Sequence, residues 1–285
     1  MLVPLLEMDF EQYADFAYEL ALDPKKSGYP AYFDGIKTKK DFIRRSKKAF
    51  ERPNEEILLY QLDGRTEGWL HYGYWAEDRY IFLCTCAIRR NTADALTELQ
   101  EYLSVRCPGW ELAMGFSTEN EEAVDWLVGA GFSKLQDADH YTLFFDQYSP
   151  VPEDPGTERI TEENFDKFQR IHRTIEAEMY WNCQRVREHF ARWDLFVAEE
   201  DGVGGEIMAL DEGNGLYEIF ALACEDGQVH INLCRRLLTA VLNEGKRKNE
   251  RCLIFFIEPD SQENQILLPF GFHFVDRYTA YHKFI

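Results

Sequence analysis

A single carboxylate lies inside an apolar stretch of the sequence. Glu218 interrupts the run Leu216-Tyr-Glu-Ile-Phe-Ala-Leu222. Desolvation in such surroundings raises the pKa of a carboxyl group, and a carboxylate with a pKa nearer to neutrality is suited to act as a general base. On a half-exposed strand, however, alternate side chains point to solvent, and Glu218 would then be a surface residue. The sequence leaves both interpretations open.

The cysteines favour buried thiols over a disulfide framework or a metal centre. They are Cys84, Cys86, Cys107, Cys183, Cys224, Cys234 and Cys252. Their number is odd and most lie within apolar segments, which is typical of reduced core cysteines. Cys84 and Cys86 form a Cys-x-Cys pair, but no second pair at ligand spacing completes a zinc site. His172 and Glu176 share one helix face without an evident third ligand, so we predict that the protein holds no metal.

Composition narrows the class of protein. The 285 residues suggest about two domains, and 45% hydrophobic and 15% aromatic residues exclude a disordered acidic chain. The net charge of −20 disfavours nucleic acid and anionic membranes as partners. No apolar run approaches the ~18 residues of a membrane span, and acidic residues interrupt the apolar N-terminus. We therefore predict a soluble cytoplasmic protein.

The chain repeats one pattern of elements. Residues 146–156 contain three prolines and one glycine and are interpreted as a linker. On either side, Gly131-Phe132 and Gly271-Phe272 stand 140 positions apart, each followed by a closing aromatic strand. The order of predicted strands and helices also matches between the halves, which indicates a duplication. We predict two α/β domains at 1–148 and 157–285.

The second half has the clearer pattern. Asp201 and Gly202 predict a hairpin turn between two strands. The predicted elements are strands at 195–198, 205–210, 216–224 and 252–257, an amphipathic helix through 233–241, a short helix at 266–270, and closing strands at 272–275 and 279–284.

This order of elements resembles the GNAT superfamily of acyl-CoA N-acyltransferases, in tandem, over nearly the whole chain. The segment from Asn120 through Ala123 to Gly131-Phe132 fits a family pattern, and Asp260 stands at the position of Asn120 in the second half. The resemblance implies a bent mixed sheet in each domain. It also implies that the co-substrate, acetyl-CoA or another acyl-CoA, is wedged where the fourth and fifth strands splay.

The resemblance also implies which residues hold that co-substrate. In the family, backbone N–H groups of a glycine-rich loop before a helix bind the pyrophosphate. The corresponding loop at 229–234 lacks both glycines, and the loop near 89–95 in the first half carries Asp94, so both loops are degenerate. The cofactor-binding residues predicted in this way are Leu222, Cys224, His230, Ile231, Asn232, Leu233, Cys234, Arg235 and Asp260.

Catalytic roles follow from the same comparison. Glu218 occupies the position of the carboxylate base on the fourth strand. The position of the family's tyrosine acid is Leu127 in one half and Leu267 in the other, and neither can donate a proton. Tyr278 and Tyr281 on the closing strand remain as phenols that could replace it, and Tyr281 is the predicted acid.

The resulting hypothesis is an N-acyltransferase whose C-terminal domain acetylates a small-molecule amine. Tyr180, Trp181 and Trp193 would either line an aromatic acceptor pocket or belong to the core. The N-terminal domain would be structural. The alternative is a non-catalytic GNAT-like module that binds a metabolite or a protein, and a homodimer is left open. A cleft between the strands at 216–224 and 252–257 favours the enzyme, and a cleft blocked by His230, Ile231 or Leu233 favours the module.

Overall fold

The computed structural model describes residues 1–213 and 215–285. The chain forms two compact units, one of Met1–Ala138 with Asp276–Ile285 and the other of Asp139–Val275. Relative to the predicted ranges 1–148 and 157–285, each unit takes its closing strand from the other half of the chain. We call them the N-terminal unit and the C-terminal unit.

Twelve strands and eight helices are described, together with short 3-10 turns. In the first half they are β1 (Leu2–Pro4), α1 (Phe10–Ala21), α2 (Lys39–Lys47), β2 (Glu55–Leu62), β3 (Arg65–Trp75), β4 (Tyr80–Ile88), α3 (Thr92–Arg106), β5 (Glu111–Ser117), α4 (Glu121–Gly129) and β6 (Ser133–Phe144). In the second half they are β7 (Thr157–Arg159), α5 (Phe165–His172), α6 (Cys183–Glu188), β8 (Trp193–Glu200), β9 (Val203–Gly213), β10 (Leu216–Cys224), α7 (Ile231–Arg247), β11 (Cys252–Ile257), α8 (Asn264–Leu267) and β12 (His273–Phe284).

The sheet of the N-terminal unit has the strand order β1-β2-β3-β4-β5-β12. Its only parallel pair, among the described strands, is β4 with β5, and α3 forms the crossover between them. β12 contributes the closing strand because Tyr278 to Phe284 pair antiparallel with β5. A parallel pair joined by a helix is the α/β unit that the sequence predicted.

The sheet of the C-terminal unit has the equivalent order, β7-β8-β9-β10-β11-β6. β10 and β11 are parallel and are connected through α7, and residues 139–144 of β6 pair antiparallel with β11. The predicted bounds 216–224 and 252–257 match β10 and β11. Asp201 and Gly202 form the predicted hairpin turn, with φ of 51° and 81°.

One predicted feature of the closing segment is wrong. Two strands were predicted at 272–275 and 279–284, but the structure has the single twelve-residue strand β12. Its first residues belong to the C-terminal unit and the rest, from Asp276, to the N-terminal unit. The polar residues between the two apolar runs predicted a break, yet extended backbone tolerates them where one face is solvated.

Each sheet is covered by helices on both faces. In the N-terminal unit, Leu96, Leu99 and Leu103 of α3 pack on one face, and residues of α1 with Phe42 pack on the other. In the C-terminal unit, α7 covers one face, and α5 and α6 cover the other. Among the described residues, no helix is both long and apolar enough to cross a membrane.

Candidate functional site

The two central strands of the C-terminal unit diverge. Their parallel pairing runs from Leu216 opposite Cys252 to Ile219 opposite Phe255 and then ends, although β10 continues to Cys224. Beyond Ile219, among the described strands, β10 pairs only with β9. After Ile219, the edge of β10 that had paired with β11 therefore faces an opening and not a strand.

A cavity of about 220 Å³ lies at this opening. Its wall is formed by Ile175, Leu222, Ala223, Cys224, Gly227, Gln228, Val229, Cys234 and Glu263. The lining combines an apolar strand end, two thiols and one carboxyl group. Such a volume corresponds to several water molecules at about 30 Å³ each, enough for the acyl-thioester end of a larger ligand.

The N-terminus of α7 borders the cavity through Val229 and Cys234. No side chain caps this helix: the N-cap is His230, which makes no side-chain cap hydrogen bond and whose Nε2 instead lies 2.8 Å from Asp226 Oδ2. An uncapped helix N-terminus offers backbone N–H groups and a partial positive charge to an anion. Arg235 is exposed in the second turn of the helix.

The structure brings together part of the predicted cofactor site. Leu222, Cys224 and Cys234 line the cavity. His230, Ile231, Asn232 and Arg235 lie at the start of α7, where their backbone or charge borders the same region. Leu233 points elsewhere, because its side chain is fully buried and packs close to Gly205 in the core.

Asp260 is not part of the cavity wall. It is exposed, has a φ of 60° and lies in the turn that follows β11. In the N-terminal unit the corresponding Asn120 is 1% exposed and caps α4 by accepting a hydrogen bond from the Ala123 N–H at 3.3 Å. The match at these two positions is therefore one of sequence only.

Glu218 lies on the face of the sheet opposite α7. Tyr217 and Ile219, its neighbours on β10, belong to the core under α7, and strand alternation places Glu218 on the other side. Phe220 packs on that other side against Trp193, with ring centroids 5.4 Å apart. Glu218 is half-buried and pairs in register with Leu210 and Ile254.

An aromatic cluster occupies the same face. Trp181 lies 5.2 Å from Trp193 and 5.2 Å from Tyr180, measured between ring centroids. Trp193 is buried and Tyr180 is exposed, with Arg185 over its ring. The cluster thus runs from the core to the surface beside the strand that carries Glu218. Trp193 belongs to the core, as one interpretation of the sequence had it, and Tyr180 lies at the surface, where the other placed an acceptor pocket.

Tyr281 lies in the other unit. Its strand pairs with β5, opposite Met114, and its side chain is buried in the core under α3. Glu218 belongs to the C-terminal unit, so the structure does not bring the two predicted catalytic residues together in one unit. Tyr281 serves the core of the N-terminal unit.

The equivalent opening of the N-terminal unit is filled by its own chain. The pairing of β4 with β5 ends at Phe82 opposite Ala113. Residues 26–29, which we call the plug, enter between the diverging strands and form isolated bridges with both. The N–H of Gly28 donates to Cys86 O at 2.7 Å, and that of Tyr29 donates to Gly115 O at 2.8 Å. The plug therefore occupies the space that is open in the C-terminal unit.

One side chain and one further backbone group also hold the plug in place. Asn120 Nδ2 donates to Ser27 O at 3.2 Å, and Ser27 is 1% exposed. The N–H of Ile88 donates to Lys26 O at 2.8 Å, which extends the backbone ladder to the end of β4. These hydrogen bonds of the plug all lie within the N-terminal unit.

Comparisons with known proteins agree with this architecture. No family model matches the sequence, and no curated protein matches it. Among solved structures, a GCN5-related N-acetyltransferase from Sphaerobacter thermophilus superposes with a TM-score of 0.67 at 14% identity, covering 100% of this chain and 95% of that one. A tandem GNAT protein from the clavulanic acid biosynthesis pathway gives 0.58 at 14% identity, covering 100% and 98%.

The chain has the tandem GNAT fold. This confirms the predicted fold class of two α/β domains, each with a mixed sheet between helices. The superposition over the whole chain establishes the GNAT fold, and an identity of only 14% leaves the substrate to be inferred from the site.

The two units of this GNAT fold differ at the helix that follows the diverging strand. In the N-terminal unit that helix is α3, and Glu122 Oε1 accepts a hydrogen bond from its Ala93 N–H at 3.4 Å. Asp94 lies in its first turn. Two carboxylates thus stand where an anion would bind, whereas the first turn of α7 carries no acidic residue.

Sequence reasoning missed Glu263. Its side chain lines the cavity, accepts a hydrogen bond from Ser261 Oγ at 3.2 Å, and lies at the start of α8. Burial, with the nearby Glu258 charge, raises the pKa of the Glu263 carboxyl. The family pattern in this segment concerns Asp260 and Gly271-Phe272, and nothing in the sequence distinguishes Glu263 from the other polar residues between them.

His172 and Glu206 form a buried pair that the sequence did not predict. Both side chains are fully buried, and His172 Nδ1 lies 2.6 Å from Glu206 Oε1. The other ring nitrogen donates to Trp181 O at 2.8 Å. Burial disfavours the imidazolium, but the Glu206 carboxylate outweighs it and raises the pKa of His172. The pair joins α5, which carries His172, to β9, which carries Glu206, and His172 also binds the loop that contains Trp181.

A second polar cluster lies in the N-terminal unit. Ligand atoms of Glu55, His71 and Cys84 fall within 4.8 Å of one another. Arg45 donates to Glu55 at 2.7 and 3.1 Å and to Cys84 Sγ at 3.2 Å. A guanidinium already supplies the positive charge that a metal would bring, and the absence of a metal stays a prediction.

Proposed function

We propose that this protein is an acyl-CoA-dependent N-acyltransferase that transfers an acyl group, most simply acetyl, to a small-molecule amine. The observation that carries the proposal is the cavity at the end of β10, bordered by the uncapped N-terminus of α7. A thioester group can enter the cavity while phosphates lie at the helix, where the N–H groups and the partial positive charge favour them.

The residues present fit such a co-substrate. The unpaired edge of β10 beyond Ile219 can exchange backbone hydrogen bonds with an extended amide-containing arm, as strand edges do with peptides. Arg235 adds a positive charge near the helix start. Residues 230–233 do not line the cavity, since Leu233 turns into the core. This open geometry supports the enzyme over the non-catalytic module.

Glu218 is the proposed general base. An ammonium substrate must lose a proton before its nitrogen can attack the thioester carbon. The half-buried carboxyl lies on the strand that leads into the cavity and on the face of the aromatic cluster, whose rings would favour a cationic group. The amine would reach the cavity from this face, and the acyl-CoA from the α7 side.

Activity is assigned to the C-terminal unit alone. The plug fills the corresponding opening of the N-terminal unit, and the carboxylates of Asp94 and Glu122 stand at the start of α3. Both features exclude a phosphate-bearing ligand from that unit. We therefore expect one acyl-CoA per chain.

Calorimetric titration of the full chain with acetyl-CoA tests the proposal. The expected result is one site per chain and a rise in melting temperature, followed by release of free CoA thiol when small primary amines are added. Glu218→Gln should lower turnover by about 10²–10⁴-fold, with a smaller effect on acetyl-CoA affinity. The matched control is Glu212→Gln, an exposed carboxylate on β9.

The outcomes separate the candidates. Failure of any acyl-CoA to bind at millimolar concentration would refute an acyltransferase. Binding without thiol release across a broad panel of amines would favour the non-catalytic module. Two sites per chain would contradict the assignment to one unit.

A further inference from the structure

Cys224 lies in an environment unlike that of the other buried cysteines. It ends β10, is 2% exposed to bulk solvent, and forms part of the cavity wall. The Cys234 thiol donates a hydrogen bond to its sulfur, and so does the backbone N–H of His230. The turn that follows is fixed by the Gly227 N–H, which donates to Cys224 O at 2.9 Å. The sulfur is thus held in place and receives two donors.

Both donors come from the start of α7, a helix of 17 residues. A helix N-terminus stabilises negative charge, and donors to sulfur favour the thiolate over the thiol. The hydrogen bond from Cys234 and the other contacts lower the pKa of Cys224 to about 7. Burial instead raises the pKa of Cys84 and of Cys86 to about 12.

The cavity gives this sulfur a reaction partner. Cys224 and the acyl-thioester end of the proposed co-substrate would share one volume of about 220 Å³. Glu263 is the acidic side chain in the wall, and burial raises the pKa of its carboxyl, which disfavours a negative charge beside the sulfur. A thiolate beside a thioester exchanges with it without any further reactant.

We propose that Cys224 is a site of covalent S-acylation, which accepts the acyl group from an acyl-CoA bound in this cavity. The proposal rests on the proposed function, since acyl-CoA must enter the same cavity. A bond forms between Cys224 Sγ and the acyl carbon, and the bond from that carbon to the CoA sulfur breaks. The electron pair leaves with the CoA thiolate, which takes up the proton that the Cys224 thiol released. One thioester replaces another.

The test uses the full chain and acetyl-CoA without an amine, quenched in acid and followed by intact mass and peptide mapping. We expect one acetyl group per chain, on Cys224, that neutral hydroxylamine removes. Cys224→Ser should abolish the label. Cys234→Ala, which removes one donor, should slow labelling at pH 7 by about fivefold, because a pKa rise of one unit from about 7 lowers the thiolate fraction from about one half to about one eleventh. The control is Cys107→Ser, a partly exposed cysteine outside the cavity.

A second measurement does not depend on acyl-CoA. The rate of Cys224 alkylation by iodoacetamide, followed against pH in the wild-type chain, should have its midpoint near 7, well below that of an ordinary thiol at about 8.5. A midpoint at or above the ordinary value overturns the proposal, even if Cys224→Ser fails to fold.

The remaining outcomes distinguish this proposal from the function on which it rests. Acetyl-CoA that binds and stabilises the protein but leaves Cys224 unmodified refutes S-acylation alone. Label on Cys107, or a disulfide between Cys224 and Cys234 in place of an acetyl group, also refutes it. If acetyl-CoA does not bind at all, both proposals fall.

Discussion

Replacing Gly28 by valine tests whether the plug is a built part of the N-terminal unit. A Cβ at position 28 would lie 3.0 Å from Gly115 O and 3.0 Å from Phe116 Cε1. Both neighbours belong to β5, and one is backbone that cannot rotate away. Valine adds two further methyl groups at the same place, so the plug must shift out of its bridges with β4 and β5.

The cost follows from these contacts. Forcing extra methyl groups into a packed site costs about 1–3 kcal/mol. A shift also weakens the three backbone hydrogen bonds of the plug at 2.7, 2.8 and 2.8 Å, each with a net value of about 1 kcal/mol. We expect a loss of about 3 kcal/mol in the free energy of unfolding. For a unit of this size, that corresponds to a fall of about 6–12 °C in melting temperature.

Differential scanning calorimetry and urea unfolding of the full chain measure the effect. The matched control is Gly129→Val, because a Cβ at Gly129 meets no atom within 4 Å. Equal stability of the two variants would refute the packing argument. Acetyl-CoA stoichiometry should stay at one per chain in Gly28→Val, since Asp94 and Glu122 still stand at the start of α3. A second site would show that the plug alone blocks the N-terminal unit.

Two further predictions concern buried carboxylates. Asp194→Asn removes the charge that holds Arg159, and because Asp194 is 1% exposed we expect a loss of about 2–3 kcal/mol in urea unfolding; a loss below ~0.5 kcal/mol would contradict it. For Glu55, burial opposes the charged form, but hydrogen bonds with His71 and Arg45 outweigh it and hold the pKa below its usual range. A carboxyl with a depressed folded-state pKa stabilises the protein above the unfolded pKa of about 4.3, and this contribution is lost as the pH falls towards the folded value. The gap in melting temperature between wild type and Glu55→Gln should therefore narrow between pH 7 and pH 3, and a constant gap would count against the ion pair.

The central strands were predictable because their signals are local. The apolar runs of β10 and β11 are each bounded by polar or glycine-containing turns, and the hairpin at Asp201 and Gly202 needs positive φ that these residues tolerate. The exchange of closing strands was not predictable. β6 and β12 carry the same Gly-Phe and aromatic pattern 140 positions apart, so each half offers a strand that fits either sheet.

The site was predictable only in part, for a similar reason. The apolar strand and the helix after it fix Leu222, Cys224 and Cys234 near one another. The plug pairs with β4 and β5 through backbone groups, which nearly every residue type has. These hydrogen bonds therefore require no particular residues at 26–29, and the sequence did not predict the plug. The pKa of Cys224 likewise depends on a thiol ten positions away that only folding brings to it.

Backbone hydrogen bonding accounts for the difference between the two units. A strand edge inside a protein needs partners for its N–H and C=O groups, because unpaired buried groups are costly. In the N-terminal unit, residues 26–29 supply those partners to β4 and β5. In the C-terminal unit the equivalent edge of β10 faces the cavity beyond Ile219. The space between the diverging strands is thus filled by the chain itself in the N-terminal unit. In the C-terminal unit the same space is available to water or to an extended polar ligand. The proposed acyl-CoA presents amide groups for this strand edge and an anionic end for the N-terminus of α7.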